Sequence, residues 1–221
     1  MTAKADRADR IETVEIPPLR LEGALGIPAS PAGLVLFAHG SGSSRHSPRN
    51  NHVAAALRRD GLATLLFDLL AEAEANDRAN VFNIDLLANR LLAATAWARY
   101  RKPTRSLPIG YFGASTGAAA ALVAAARLGD GIAAIVSRGG RPDLAGDALV
   151  RVVAPTLLIV GGRDTEVLAR NRAAQRSLRG ENSLRIVLHA THLFEEPGAL
   201  DAVVELARDW FLAHMVAPAR R

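Results

Sequence analysis

Short apolar runs that alternate with longer stretches of helical period constrain the fold of this chain more than any other feature. The runs are bounded by Gly, Asp or His, and most are apolar throughout, as strands covered on both faces are. They occupy residues 34–38, 63–67, 107–112, 132–136, 156–160 and 184–188. Between them, residues 81–100 and 200–214 each place apolar side chains on one helical stripe. The pattern predicts a parallel sheet with crossover helices on both faces, which is an α/β fold.

The N-terminal segment follows a different pattern. Residues 11–16 and 19–25 alternate apolar and polar side chains and are split by Pro17 and Pro18, which predicts two half-buried strands joined by a turn. We expect these strands to form an antiparallel edge of the sheet. The expected organisation is a single domain at residues 11–215 with tails at 1–10 and 216–221. The short connection between the fourth and fifth apolar runs leaves no room for a large lid.

Composition removes several classes of function. The 221 residues include no cysteine, which excludes disulfides, thiolate nucleophiles and zinc sites built on cysteine. The first ten residues mix charges and hold no apolar core for a signal peptide, so a cytoplasmic location is expected. The longest apolar run, 118–126, is about half of a membrane-spanning length. The net charge of +5 is spread singly along the chain. We therefore expect neither membrane nor nucleic acid as a partner.

The segment GASTG at residues 113–117 is a G-x-S-x-G motif between a predicted strand and an Ala-rich predicted helix. Such a turn forces its central residue, Ser115, into a strained conformation that only glycines at 113 and 117 permit. The hydroxyl of Ser115 would then stand above the sheet as a nucleophile, with the N–H of Thr116 pointing at a developing oxyanion. The alternative is a glycine-rich turn in which Ser115 caps the helix.

A serine nucleophile needs a base and a carboxylate that orients the base. His192 follows the last predicted strand, where its loop reaches the carboxyl edge of the sheet, and we favour it over His189 at the strand end. Asp164 ends the preceding strand and is the favoured carboxylate. It could instead cap the next helix, and Glu166 and Asp143 are alternative carboxylates.

The turn after the first parallel strand, HGSGSS at residues 39–44, presents backbone N–H groups at the same edge. Ser41 or Gly42 is expected to supply the second oxyanion donor. A dinucleotide fingerprint is disfavoured here because Arg45 replaces its third glycine, although Asp68 ends the next strand. The phosphate-loop motif G-x-x-x-x-G-K-S/T does not occur in the sequence.

With these pieces located, the chain resembles the α/β-hydrolase superfamily, and within it the compact dienelactone-hydrolase-like branch. The motifs that carry the resemblance, which spans residues 11–215, are HGSG at 39–42, GASTG at 113–117, DTEV at 164–167 and ATHLF at 190–194. The resemblance implies a triad of Ser115, Asp164 and His192. It further implies an oxyanion hole from the N–H groups of Ser41 and Thr116, and hydrolysis of carboxylic esters or lactones without a cofactor or metal.

The chain departs from that branch at the nucleophile, because dienelactone hydrolases proper use cysteine where this sequence has Ser115. A dienelactone is therefore not the expected substrate. Similar hydrolase domains also occur fused to phosphoribosyltransferase domains, and we expect a chain of this length to hold the hydrolase domain without one.

Substrate recognition is less constrained. Arg138 and Arg141 lie at the expected catalytic edge and, with Arg45, could pair with a carboxylate or phosphate of the substrate. The alternative is that these arginines bond carboxylates or carbonyls of the protein itself. The expected function is a carboxylesterase acting on a small-molecule ester or lactone. The alternatives are thioesterase, peptidase or haloperoxidase-like activity on the same residues, or a non-catalytic protein of this fold that binds a ligand or a partner.

Overall fold

The computed structural model describes residues 10–215. The tails predicted at 1–10 and 216–221 lie outside this range, except that the backbone of Arg10 begins the first strand. None of the helices within 10–215 is long and apolar enough to cross a membrane.

Eight strands form one sheet in the order β1-β2-β4-β3-β5-β6-β7-β8. Their bounds are β1 Arg10–Ile16, β2 Leu21–Ile27, β3 Gly33–Ala38, β4 Leu62–Phe67, β5 Ile109–Ala114, β6 Ala134–Arg138, β7 Thr156–Gly161 and β8 Asn182–Val187. Strand β2 pairs antiparallel with β1 and with β4, and every pairing from β4 to β8 is parallel. The predicted fold class, a mostly parallel sheet with an antiparallel N-terminal edge, is confirmed.

Helices cover both faces of this sheet. Their bounds are α1 Pro48–Arg59, α2 Glu72–Ala75, α3 Arg78–Val81, α4 Ile84–Tyr100, α5 Thr116–Leu128, α6 Thr165–Ser177 and α7 Ala199–Met215. Along β3, Leu34 and Leu36 pack in the core under α4 and α5, whereas Val35 and Phe37 pack in the core under α1 and α7. Alternate side chains of one strand therefore enter two different cores, which explains why the central strands are apolar throughout.

Several strands end later than the apolar runs that predicted them. The run at 132–136 becomes β6, which continues through Ser137 and Arg138, because Arg138 still pairs with Ala114 of β5. In the same way, β5 begins at Ile109 rather than at residue 107 and continues to Ala114. Backbone pairing with neighbouring strands determines where these strands begin and end, and the hydrophobic pattern alone does not predict that pairing.

The predicted helix at 81–100 is divided in the structure. The short helix α3 ends at Val81, and α4 begins at Ile84 after Asn83, whose side chain accepts the N–H of Leu86 at 3.0 Å. The Asn83 cap is the local reason for the new start. Between β6 and β7 the chain forms two short 3₁₀ segments within Pro142–Arg151, separated by a kink at Gly146, and no large lid is inserted there.

The connection from β5 to α5 is so tight that it excludes side chains at two positions. A Cβ at Gly117 would lie 2.1 Å from the carbonyl oxygen of Ala38, and one at Gly113 would lie 2.4 Å from the Cα of Ala118. Both contacts are with backbone, which cannot move aside without shifting β3 or α5. The first turn of α5 therefore packs directly against the end of β3.

Replacing Gly117 with alanine is expected to lower the free energy of unfolding by about 3 kcal/mol or more, because the new methyl group overlaps the β3 backbone. Gly198→Ala is the control, since an added Cβ at Gly198 meets open space and carries only the strain of a positive φ of 75°, a value that Gly117 does not share. That control is expected to cost about 1–2 kcal/mol of backbone strain. Urea denaturation measures both, and equal losses would contradict the packing argument.

Candidate active site

Ser115 sits between the last residue of β5 and the first residue of α5, in a conformation that side chains rarely adopt. Its φ is 50° and its ψ is −120°. This region of backbone space is nearly exclusive to glycine, and such strain concentrates at functional sites. The Ser115 side chain makes no capping bond to α5, so it does not act as the helix cap that is the alternative reading of the motif.

Asp164 and His192 form a close hydrogen bond. Asp164 follows β7 and occupies the position before α6, yet its carboxylate makes no bond to the helix N-terminus. Its Oδ2 lies 2.6 Å from Nδ1 of His192, and the Asp164 side chain is only 14% exposed. The bond fixes the ring orientation and leaves Nε2 as the nitrogen that can exchange a proton. Among residues 10–215, no side chain hydrogen-bonds that Nε2.

The loop that carries His192 is anchored on both sides of the histidine. Ala190 and Phe194 are fully buried, and the N–H of Arg163 donates to the Ala190 carbonyl at 2.9 Å. Gly161, the last residue of β7, leaves room for this carbonyl, because a Cβ there would lie 2.4 Å from it. The histidine therefore projects from a fixed part of the loop.

Ser115 and His192 line the same cavity, whose volume is about 250 Å³. Its other walls come from the loop after β3, the first turn of α1, and Arg138 at the end of β6. Gly40 of that loop approaches Ser115 closely, since a Cβ at Gly40 would lie 3.0 Å from the Ser115 Cβ. The fold thus brings a strained serine and a carboxylate-bound histidine to one small pocket.

The competing residues are placed differently. His189 is exposed and has a positive φ of 66°, and it does not line the cavity that holds Ser115. Asp143 accepts hydrogen bonds from Arg141 and Arg170, and the Arg141 guanidinium holds the pKa of the Asp143 carboxyl below its usual range. Glu166 is paired with Arg170 as well.

The two candidate oxyanion donors are neighbours. The N–H of Ser41 donates to Oγ1 of Thr116 at 2.9 Å, and Thr116 itself is buried. The N–H of Thr116 lies in the first turn of α5, where helix geometry supplies no intrahelical acceptor.

The three arginines suggested by the sequence have different surroundings. Arg45 is paired with Asp68 and Glu22, and Arg141 with Asp143 at 2.7 Å. Arg138 differs, because it is 7% exposed and forms no hydrogen bond or ion pair through its side chain with any residue of 10–215. Of the three, Arg138 is the one that lines the cavity of Ser115.

The first turn of α1 is a part of the cavity wall that sequence reasoning missed. Ser47 caps this helix, its side chain accepting the N–H of Asn50 at 3.3 Å, and Arg49 lies between them. Ser47 followed by Pro48 is a recognisable start of a helix, since serine favours the cap and proline the first helical position. The signal was therefore present, but nothing in it points to the catalytic cavity.

A second cavity, of about 630 Å³, contains neither Ser115 nor His192. It shares Gly40, Ser41 and Ser43 with the smaller one, so the loop after β3 lines both cavities. Many of its other walls are apolar and come from the turn before β2 and the segment after β4.

Comparison with known proteins places this geometry in a family. The chain superimposes on a dienelactone hydrolase from Anabaena variabilis with a TM-score of 0.89 and 52% sequence identity, covering 94% of this chain and 98% of that one. The chain belongs to the dienelactone-hydrolase-like branch of the α/β-hydrolases. No protein-family model matches the chain.

More distant solved structures share the fold. Est1E from Butyrivibrio proteoclasticus matches with a TM-score of 0.78 at 16% identity, covering 94% of this chain and 99% of that one. The dienelactone hydrolase-like promiscuous phosphotriesterase P91, from metagenomic libraries, matches with a TM-score of 0.75 at 18% identity, covering 95% and 100%. At these identities the likeness concerns the fold.

Two curated proteins from strains of Mycobacterium tuberculosis are also similar to this chain. Each is 57% identical over 218 residues, which is 98% of this chain and 49% of the relative. The chain thus spans about half the length of the curated relatives it matches. Both carry the provisional name phosphoribosyl transferase.

His39 holds the loop after β3 through both ring nitrogens. The N–H of Leu69 donates to Nε2 at 3.1 Å, so Nδ1 carries the proton and donates to the Gly40 carbonyl at 3.0 Å. Burial lowers the pKa of His39, although the Gly40 carbonyl and the charge of Asp68 oppose that shift. The neutral imidazole therefore links the loop after β3 to the segment after β4.

The lowered pKa of His39 predicts a loss of stability in acid. The contribution of the neutral ring is fully present above the unfolded value, about pH 6.5, and is lost as pH falls towards the lower folded value. The gap in unfolding free energy between the native protein and His39→Gln should therefore shrink from pH 8 to pH 5. Urea denaturation across this range measures the gap, and a gap that stays constant or widens would contradict the assignment.

Proposed function

We propose that this chain is a serine hydrolase that cleaves a small carboxylic ester or lactone through an acyl-enzyme on Ser115. The observation that carries the proposal is the 2.6 Å bond between His192 and Asp164, formed beside the cavity that Ser115 shares. Asp164 precedes α6, but its carboxylate bonds His192 instead of capping the helix. Ser115 adopts a strained backbone conformation. Two local departures from ordinary helix starts at one site favour catalysis over a purely structural role.

In the proposed reaction, Ser115 Oγ attacks the carbonyl carbon while Nε2 of His192 accepts the hydroxyl proton. Asp164 stabilises the imidazolium through Nδ1. The protonated His192 then gives its proton to the departing alcohol oxygen, which leaves the acyl group on Ser115. A water molecule, deprotonated by His192, attacks the acyl-enzyme, and Ser115 recovers its proton as the acid is released. A lactone follows the same steps, with its alcohol remaining attached to the acyl group.

The N–H groups of Thr116 and Ser41 would stabilise the negative oxygen of each tetrahedral intermediate. In the free protein, Ser41 donates to the Thr116 hydroxyl, which keeps its N–H close to the site before substrate arrives. We propose that the oxyanion competes with this hydroxyl for the Ser41 donor. One such donor is typically worth about 3–4 kcal/mol of transition-state stabilisation.

The name of the mycobacterial relatives suggests a second candidate activity, which is transfer of a phosphoribosyl group. Several observations favour hydrolysis for the half of those proteins that this chain matches. The matching half has the fold of the α/β-hydrolases, and the homologue from Anabaena that is matched over nearly its whole length is a dienelactone hydrolase. We propose that the provisional name describes a property of the other half.

A fluorophosphonate probe tests the nucleophile directly. We expect the native protein to be labelled, because an activated serine hydroxyl attacks the phosphorus and displaces fluoride. Ser115→Ala should abolish labelling, and His192→Ala should reduce it strongly by removing the base. Peptide mapping of the labelled protein checks that the probe is on Ser115.

The same samples are then screened against short and long acyl esters and thioesters. A folded native protein that takes no label and cleaves no ester would favour the alternative of a non-catalytic binding protein. Cleavage of thioesters or amides in preference to esters would keep the nucleophile but change the substrate class.

Asp164→Asn tests the role of the carboxylate without changing its size. The amide favours the wrong histidine tautomer, so kcat should fall by about 10³- to 10⁴-fold. Asp143→Asn and Glu166→Gln are matched controls, because both carboxylates are bound to arginines rather than to His192. They should leave kcat within a few-fold of native, and a comparable loss in either control would reassign the carboxylate.

A further inference from the structure

Arg138 is a buried charge that the proposed reaction does not use. It ends β6, pairs through its backbone with Ala114, and lines the cavity of Ser115 and His192. Its Nε is sealed from solvent without a hydrogen-bond partner. A buried guanidinium usually has a carboxylate or several carbonyls around it, because the desolvated charge is costly. Among the described residues, no side chain offsets that cost by a hydrogen bond or ion pair to the guanidinium.

The charged side chain that acts on Arg138 is another cation, Arg49, so it does not neutralise the guanidinium. Burial, together with the nearby charge of Arg49, lowers the pKa of Arg138 to about 10, so the group stays cationic at neutral pH. The nearest ring, Phe194, has its centroid 5.8 Å from the guanidinium carbon. Arg49 is bound to Glu195 at 3.0 Å, but the Glu195 side chain is 64% exposed, so solvent weakens its effect.

Donors dominate the cavity around these two arginines. Its walls include Ser43, Ser47 and Asn50, residues whose side chains can donate hydrogen bonds, and they contain no Asp or Glu among the residues described. Ser47 and Asn50 belong to the start of α1, a helix of 12 residues whose N-terminus carries a partial positive charge. A site with two guanidiniums, several neutral donors and no carboxylate is complementary to an anion.

We propose that Arg138, Arg49 and the first turn of α1 bind a phosphate group of the substrate, so that this hydrolase cleaves esters or lactones that carry a phosphate near the scissile carbonyl. A phosphate monoester carries about −1.5 to −2 charges at neutral pH and has three terminal oxygens. It can therefore use both guanidiniums together with the hydroxyl and amide donors. A carboxylate has a single charge and two oxygens in one plane, and would leave part of this donor set unused. This inference rests on the proposed function for the identity of the cleaved bond.

The cavity size sets where the phosphate would lie. A volume of about 250 Å³ holds the phosphate and only a few further atoms. Arg138 pairs with Ala114, which directly precedes Ser115 in the sequence. The anion and the attacked carbonyl would therefore lie in the same small space. The substrate part between them is therefore short.

Binding of inorganic phosphate tests the subsite without any turnover. The protein used is the full chain with Ser115→Ala, and isothermal titration calorimetry gives the dissociation constant. Adding Arg138→Gln should weaken phosphate binding at least tenfold, and adding Arg49→Gln should weaken it by a smaller factor. Arg176→Gln, on the exposed side of α6, is the control for a general loss of charge and should leave binding unchanged. Equal binding with and without Arg138, or no binding at all, would overturn the proposal.

Inhibition kinetics separate phosphate from carboxylate. With native protein and a neutral aryl ester, inorganic phosphate should inhibit competitively, whereas acetate at the same ionic strength should inhibit at least tenfold more weakly. Equal inhibition by acetate would assign the subsite to carboxylates and contradict the phosphate assignment. Arg138→Gln should remove the phosphate inhibition while the Arg176→Gln control retains it.

The thermal stability of Arg138→Gln distinguishes a binding role from a structural one. Because the Arg138 side chain has no hydrogen-bond partner among the described residues, its loss should leave Tm unchanged or raise it. A fall in Tm of several degrees, without loss of phosphate binding, would assign Arg138 to folding. If Arg138→Gln does not fold, the phosphate affinity of Arg49→Gln tests the subsite instead, since Arg49 is partly exposed and its loss is better tolerated.

The subsite and the proposed function can fail separately. Phosphate binding that depends on Arg138, in a native protein that neither takes the serine probe nor cleaves esters, would retain the subsite and reject the hydrolase. Labelling at Ser115 and ester cleavage, without phosphate binding, would retain the hydrolase and reject the subsite.

Discussion

The parallel pairing of β5, β6 and β7 is the constraint on which the site depends. Because Ala114 lies opposite Arg138, and Arg138 lies opposite Ile159, the three strands end at one rim. The segments that leave this rim carry Ser115 and Asp164, and the N–H of Ser115 still donates to the Arg138 carbonyl at 3.3 Å. Residues far apart in the sequence thus meet without a long loop.

Two features of this rim cost stability and are retained. Ser115 holds a backbone conformation that is nearly restricted to glycine, and Arg138 keeps a buried charge that no described side chain neutralises. Elsewhere the fold follows ordinary rules, with alternate strand residues filling two apolar cores and charged arginines paired with carboxylates. Local conflict with stability is expected where a protein binds or reacts, which is why both features direct attention to the same cavity.

The fold was accessible from the sequence because its signals are local. Apolar runs, the two prolines and the tight glycine motif predict the sheet, its antiparallel edge and the turn into α5. What the sequence does not report is distance across the fold. Arg45, Arg138 and Arg141 look alike in the sequence, and only the packing shows that two of them face carboxylates while Arg138 faces the cavity. Arg49 was missed for the same reason, since nothing local links the start of α1 to the end of β6.

The proposed reaction requires that the hydroxyl of residue 115 becomes covalently acylated during turnover. Rapid quenching of the native protein with an activated acetate ester, followed by mass spectrometry of its peptides, measures this directly. We expect one acetyl group on the peptide that contains the GASTG turn, appearing before steady state and lost on longer incubation. Ester turnover without acylation of that peptide, or with acylation at another residue, would contradict it.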